Sequence, residues 1–359
     1  MEALVSNGLD RTLWQGRRVF LTGHTGFKGG WLALWLRQLG AQVCGYALDP
    51  DTQPNLMEAA RVGRALQDLR GDINDLAHLT DAITAFAPEI VFHMAAQPLV
   101  RRSYADPLLT YRTNVMGTAH VLEAIRATSS VRAVVVVTTD KCYENLETGR
   151  AFREGDPLGG HDPYSSSKAC AELVASAYRS SYFDNIGCLI ATARAGNVIG
   201  GGDSSADRLL PDLVQGFLSG HPVTIRRPES VRPWQHVLEP LHGYLRLAEE
   251  LYRGNRTAAS AWNFGPSQQD AWTVSRIADT MAALWGGTAS WINDTDPGVH
   301  EAGYLMLDAS KAQRELGWQP KLPLETALEW LVAWYRAQAD GADMQAETLR
   351  QIAAYEALL

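Results

Sequence analysis

Cysteine is scarce in this sequence. The four residues, Cys44, Cys142, Cys170 and Cys188, are scattered along 359 positions and form no CxxC pair. That spacing argues against a disulfide framework or a zinc site, so no metal is expected and a reducing, cytoplasmic location fits. Basic residues are also outnumbered: 32 Lys and Arg face 40 Asp and Glu, a net charge of -8. This balance speaks against nucleic acid or an anionic membrane as partner, and an anionic substrate must be held by local arginines. No apolar stretch reaches membrane-spanning length. The Met1-Glu2-Ala3 start lacks the basic residues and apolar run of a signal peptide, so none is expected. Internal repeats and low-complexity runs are absent. What is present is a hydrophobic content of 46%, enough for a core without metal or disulfide staples. The length has room for roughly two domains.

Short apolar runs at 18–22, 42–47, 66–70, 90–93, 133–138 and 187–193 alternate with amphipathic stretches near 31–39, 76–86, 108–127 and 164–183. The alternation predicts an α/β fold, a Rossmann-like doubly wound parallel sheet with helices on both faces. Val134 to Val137 are apolar throughout, as an interior parallel strand requires. After Arg194 the texture changes, with Gly200, Gly201, Gly202, Pro211, Pro222, Pro228 and Pro233 breaking the chain into short elements. Helical patterns return near 274–284, 309–316 and 324–338, and a helix is expected after Asp340. The expected division is a dinucleotide-binding domain over 1–195 with a returning segment at about 234–264, and a smaller C-terminal α+β substrate lobe over 196–233 and 265–359.

The densest signal is Val19-Phe20-Leu21-Thr22-Gly23-His24-Thr25-Gly26-Phe27-Lys28-Gly29-Gly30, a strand that ends in a glycine turn before an apolar helix. That context is what a dinucleotide site requires. Gly23 allows the sharp turn, Gly26 admits a pyrophosphate, and Gly29 lets the helix lie close. The helix N-terminus then offers unpaired N–H groups to the phosphates. Asp49 follows Gly29 by 20 residues, close to where a carboxylate holds the adenine ribose of NAD; it is otherwise a turn aspartate before Pro50. Lys28 leaves NADP as a lesser option.

Two further segments carry chemistry. Tyr164-Ser165-Ser166-Ser167-Lys168 places a phenol and an ammonium four apart on one helix face, started by Asp162-Pro163. The ammonium is expected to lower the phenol pKa so that Tyr164 can take a proton from a hydroxyl. Thr138-Thr139-Asp140-Lys141 leaves the valine strand at the end where open parallel sheets bind ligands. There Asp140 can donate a proton to a leaving hydroxyl, and Lys141 can remove one beside a ketone. Trp262, Trp272, Trp285, Trp291 and Trp318 read as core packing for the most part rather than as sugar platforms.

Thr22-Gly23-x-x-Gly26-x-x-Gly29 with Tyr164-x-x-x-Lys168 resembles the extended short-chain dehydrogenase/reductase family of NAD-dependent epimerases and dehydratases, which acts largely on nucleotide sugars. Within it, Gly23-His24-Thr25-Gly26-Phe27-Lys28-Gly29, His93-Met94-Ala95-Ala96-Gln97-Pro98-Leu99-Val100-Arg101 and Thr138-Thr139-Asp140-Lys141-Cys142-Tyr143-Glu144-Asn145 are similar to the 4,6-dehydratases that take CDP-glucose. Arg232-Pro233-Trp234-Gln235-His236-Val237 and His300-Glu301-Ala302 continue the likeness, which runs from about residue 14 to 320. The dTDP-glucose dehydratases carry Asp-Glu where this chain has Asp140-Lys141, and arginine in place of Gly303.

The resemblance implies NAD as cofactor. Its contacts would be Gly23, Thr25, Gly26, Phe27, Gly29, Asp49, Asp72, Ile73, Ala95, Ala96, Gln97, Asn114 and Thr138, with Tyr164 and Lys168. It implies CDP-glucose as substrate, touched by Arg101, Asn197, Arg208, Arg232, Gln235, His300 and Tyr304. It implies oxidation at C4 with Tyr164 and Thr139, loss of water across C5 and C6 with Asp140 and Lys141, and reduction at C6. The setting would be deoxysugar synthesis for lipopolysaccharide O-antigen. It also implies a homodimer through the helices near 108–127 and 164–183, with outer faces Val121, Leu122, Ile125 and Leu173, Val174, Ala177, Tyr178; these residues could equally pack on the sheet. An epimerase or reductase of the same family, a dehydratase of another nucleotide sugar, and a non-catalytic NAD-binding regulator are the alternatives.

Overall fold

The apolar runs of the first half all become strands of one sheet. In the computed structural model, which describes residues 8–183, 186–294 and 304–359, these are β1 (Arg18–Thr22), β2 (Gln42–Ala47), β3 (Gln67–Arg70), β4 (Ile90–His93), β5 (Ala133–Val137) and β6 (Leu189–Ala195). Later in the chain come β7 (Asn197–Ile199), β8 (Val223–Ile225), β9 (Val231–His236), β10 (Ala261–Phe264), β11 (Ala271–Thr273) and β12 (Trp291–Asn293), of which β10 returns to the large sheet. The large sheet has the order β10-β6-β5-β4-β1-β2-β3, and every neighbouring pair is parallel. β1 enters at the centre, pairing Val19 with both Val43 and Ile90. The chain then builds outward in opposite directions, which leaves a crevice at the carboxyl ends of β1 and β4.

Helices cover both faces. One face buries Trp31, Leu32 and Trp35 of the helix Phe27–Gln38 with Leu241 and Tyr244 of the helix Leu238–Tyr252. The other buries Phe20, Val91, Val134 and Ile190 under Ile83, Val121, Leu122 and Ile125. Val121, Leu122 and Ile125 therefore pack on the sheet and are not an outer face. The stretch expected as one helix over 108–127 is three pieces: Pro107–Tyr111, a π-helical turn Arg112–Met116, and Gly117–Arg126. Sequence periodicity misses the helix Leu238–Tyr252, because nearly its whole circumference is buried, charged Glu239 and Glu249 included. It also misses the helix Leu209–Ser219.

The lobe has two small sheets, β11-β9-β7 and β12-β8, laid over the strand ends. The last helix, Met344–Glu356, clamps the glycine-turn helix from behind. There Glu356 accepts from Trp35 Nε1 at 2.9 Å and from Gln38 Nε2 at 3.1 Å. Trp262, Trp272 and Trp318 are buried in the core; Trp285 and Trp291 are half-buried against it.

Candidate active site

The glycine turn is shaped by what it excludes. Gly23 sits at φ +79°, and a Cβ there would lie 2.7 Å from the Ala95 amide nitrogen. A Cβ on Gly29 would lie 2.2 Å from the Gly23 carbonyl oxygen, so only glycine lets the helix begin this close to the turn. At Gly26 the nearest atom would be 3.5 Å away, leaving that face open to the cleft. Gly26 caps the helix Phe27–Gln38 with no side-chain hydrogen bond. The first helical amides are thus unspent and face the cleft, a donor set that fits a pyrophosphate.

The cleft has a volume of about 790 Å³ and runs from this turn into the lobe. Thr25, Phe27, Asp49, Asp72, Ile73, Ala95, Ala96 and Gln97 line its dinucleotide end. Asp49 projects from the exit of β2, 85% exposed, with Arg70 Nε 3.1 Å from its carboxylate. Asn114, expected as a cofactor contact, stands behind the lining. It accepts from the Gln97 amide at 2.8 Å and donates to Ser167 Oγ at 2.8 Å, bracing the loop after β4 against the helix Pro163–Tyr178. Lys28 turns into the interior, with Nζ 3.4 Å from the Tyr244 hydroxyl. Burial, with the Arg208 and Lys168 charges, pushes its pKa down to about 7. A side chain turned inward does not serve the 2′-phosphate of NADP.

Thr138, Thr139, Asp140, Lys141, Tyr164 and Lys168 all line the floor of the same cleft. Asp140–Cys142 form a single turn just past β5, capped by the Thr139 side chain. The Thr139 hydroxyl donates to Asp140 Oδ1 at 2.9 Å and lies near enough to the Tyr164 hydroxyl to favour its charged form. Asp140 is 1% exposed, and its Oδ2 has no partner among the described residues. Lys141 is half-buried beside it.

One expectation is reversed: the Tyr164 pKa is pushed up to about 12 rather than down. Burial outweighs the opposing Thr139 hydrogen bond and Arg208 charge. Burial also pushes Lys168 down to about 8, against the nearby Glu172 carboxylate. Its Nζ donates to the Val137 carbonyl at 3.2 Å. Burial disfavours the charged form of each, so proximity alone does not produce phenolate.

Toward the lobe, Arg101, Asn197, Arg208 and Arg232 line the cleft. Arg101 Nη1 meets Asp207 at 2.9 Å and Arg208 Nη1 meets Asp203 at 2.9 Å, so both guanidiniums already hold carboxylates. Gln235 does not line the cleft; its amide donates to the Phe264 carbonyl at 2.8 Å and ties β9 to β10. Tyr304 bridges to Val231 outside the lining, and its carbonyl accepts from Asn145. His300 lies outside the described residues.

Sequence reasoning missed His93, Glu172 and Arg194. His93 sits under the glycine turn between the Thr22 and Thr118 hydroxyls, and burial holds its pKa near about 3, keeping it neutral. No local motif marks such residues, because their partners are distant in sequence.

A family model described as GDP-mannose 4,6 dehydratase matches residues 20–330. The chain is 52% identical to the CDP-glucose 4,6-dehydratase of Salmonella typhimurium, over 97% of this chain and 98% of that protein. It is 30% identical to the dTDP-glucose 4,6-dehydratase of Streptomyces griseus, over 88% and 93% respectively. Among solved structures, MoeE5 in complex with UDP-glucose and NAD is similar at a TM-score of 0.74 and 27% identity, covering 90% of this chain and 99% of that one.

Proposed function

The chain belongs to the GDP-mannose 4,6-dehydratase family of extended short-chain dehydrogenases/reductases, and from that premise we propose that it converts CDP-glucose to CDP-4-keto-6-deoxyglucose and water. The observation that carries this reading is the meeting of Asp140 and Lys141 with Tyr164 at one buried floor, beside the glycine turn. An epimerase needs only the tyrosine and lysine; the added acid and base serve an elimination.

NAD would be held by the turn amides, Asp49 and the Asp72–Ile73 and Ala95–Gln97 segments, and when bound would supply a reversible oxidant for C4 and a positive ring that offsets the cost of a phenolate. Tyr164 takes the proton of the C4 hydroxyl, and Thr139 hydrogen-bonds to that oxygen. With C4 a ketone, the C5 hydrogen is acidic, and Lys141 removes it. Asp140 gives a proton to the C6 hydroxyl, which leaves as water. C6 then receives the hydride that C4 gave up, Lys141 returns its proton to C5, and the proton taken by Tyr164 replaces the one Asp140 gave to the departing water, so C4 remains a ketone. The diphosphate is held by Arg101, Arg208 and Arg232, since guanidinium meets phosphate bidentately.

Assembly as a homodimer belongs to the same proposal. Its support is a row of exposed apolar side chains on the helices flanking the floor: Leu108 at 80%, Leu173 at 58%, Met116 at 49% and Tyr104 at 45%. A cytoplasmic location follows from the free thiols.

The test is incubation of the protein and NAD with CDP-, dTDP-, GDP- and UDP-glucose in turn. Loss of one water from the CDP sugar alone is expected. Water loss from a different nucleotide sugar overturns the substrate, and an isomer without water loss overturns the elimination.

A further inference from the structure

Two elements bring the reacting groups together, and they are anchored differently. Tyr164 and Lys168 ride on the first turns of the helix Pro163–Tyr178. That helix holds itself: Asp162 caps it, accepting from the Ser165 amide at 2.9 Å and the Ser165 hydroxyl at 2.6 Å. Thr139, Asp140 and Lys141 have less support of their own, a single long cap in which the Thr139 hydroxyl accepts from the Lys141 amide at 3.3 Å. They make one turn between a strand end and a loop, and a turn this short has little intrinsic stability.

What fixes that turn is a buried network gripping it on both sides. On the near side, Thr138 donates to the Glu172 carboxylate. Glu172 also accepts from Thr192 at 2.7 Å and from Arg194 Nε and Nη2 at 2.9 and 2.8 Å. On the far side, Arg194 Nη1 donates to the Tyr143 hydroxyl at 2.7 Å, and its guanidinium lies 4.8 Å from the centre of the Tyr143 ring. That hydroxyl donates in turn to Asn263 Oδ1 on β10 at 2.7 Å. Glu172 and Arg194 are each 3% exposed at the side chain. A buried pair of this kind is weak evidence for stability and is better explained by what it positions.

We propose that the Glu172–Arg194–Tyr143 network is the positioning device for the turn that carries Thr139, Asp140 and Lys141, and that its loss falls hardest on the water-loss half of the reaction, which needs both Asp140 and Lys141, and least on oxidation at C4, where Thr139 only assists Tyr164. This rests on the elimination reading above. Arg194 joins the two sides: its fork binds the carboxylate that holds Thr138, and its remaining nitrogen holds Tyr143. The four residues between them, Thr139 to Cys142, inherit their place.

Tyr143→Phe removes one hydroxyl and leaves the Glu172–Arg194 pair intact, so the fold should survive. Arg194→Lys keeps the buried charge but loses the fork. Each holoenzyme is mixed with CDP-glucose in a single turnover. C4 oxidation is read from reduced-nicotinamide absorbance, elimination from solvent deuterium at C5 and mass loss of water, and affinity from CDP titration. The expected result is oxidation within about twofold of the parent, elimination slowed about 10- to 100-fold, reduced cofactor accumulating, and CDP affinity unchanged. If both steps slow equally, or neither does, the network has no selective positioning role. If Arg194→Lys does not fold, Tyr143→Phe decides alone. Absence of water loss from CDP-glucose in the parent itself would instead remove the dehydratase reading on which the proposal stands.

Discussion

The floor of the cleft and its mouth are built from opposite materials. At the floor, Thr139 and Asp140 lie just past a strand end and Tyr164 and Lys168 on a helix; all four are buried, with Thr139 bonded to Asp140 and Lys168 to a carbonyl of the central sheet. At the mouth, Arg101 and Asp207 are 34% and 46% exposed, and their ion pair bridges the short helix Val100–Ala105 to the loop before the helix Leu209–Ser219. An exposed pair of this kind is worth about 0–1 kcal/mol, whereas breaking a buried pair costs about 3–5 kcal/mol. Chemistry is therefore placed where groups cannot move. Recognition is placed where a carboxylate can be exchanged for a phosphate at small cost.

The largest effect should come from the floor. Tyr164→Phe should lower turnover about 1,000-fold or more, within the range a lost acid–base group commands, while NAD and CDP still bind by calorimetry. Full turnover in that variant would remove Tyr164 from the mechanism. Lys141→Met should still oxidise C4 but slow elimination by about 100-fold or more. Rapid-mixing absorbance would show reduced nicotinamide building up, and the absence of that build-up would deny Lys141 a later role.

Changes at the mouth should be smaller and fall on affinity. Arg208→Ala should weaken CDP binding about 10- to 100-fold, the worth of a charged hydrogen bond, with kcat little altered. Asp207 sits at φ +59°, a conformation asparagine also accepts. Asp207→Asn should therefore tighten CDP binding about threefold by removing a competitor for Arg101. That gain should shrink in high salt, since exposed pairs are screened; a gain that ignores salt would show that the mouth is not electrostatic.

The last effect falls on stability and not on the reaction, at Lys28, whose folded pKa is about 7 against 10.5 when free. Below about pH 7 the lysine is charged in both states and its burial cost is fully present. As pH rises toward 10.5, the folded protein sheds the proton first and the cost fades. Lys28→Met should therefore be more stable than the parent at about pH 6 and close to it at about pH 10 in thermal unfolding. The opposite trend would show that Lys28 is not buried as a charge.

Legibility followed the range of the causes. Strands 18–22, 42–47 and 90–93 coincide with β1, β2 and β4, and the other three shift by one or two residues. Short apolar runs and a glycine turn are local signals. The motif residues of the floor were legible for the same reason. Arg70 beside Asp49, and Arg194 beside Glu172, were not, because each pair joins different strands or a strand to a helix.

The sequence by itself determined the alternation of elements, hence the parallel sheet, and the chemical types gathered at its strand ends, because both follow from local periodicity and chain order. Only the tertiary structure decided that Val121, Leu122 and Ile125 face the sheet. It alone decided that Lys28 points inward, that Gln235 and Asn114 brace rather than line the cleft, and that burial raises the Tyr164 pKa. Orientation and burial are set by which surfaces meet. A charged group's environment is a sum over neighbours far away in the chain, which no window of sequence contains.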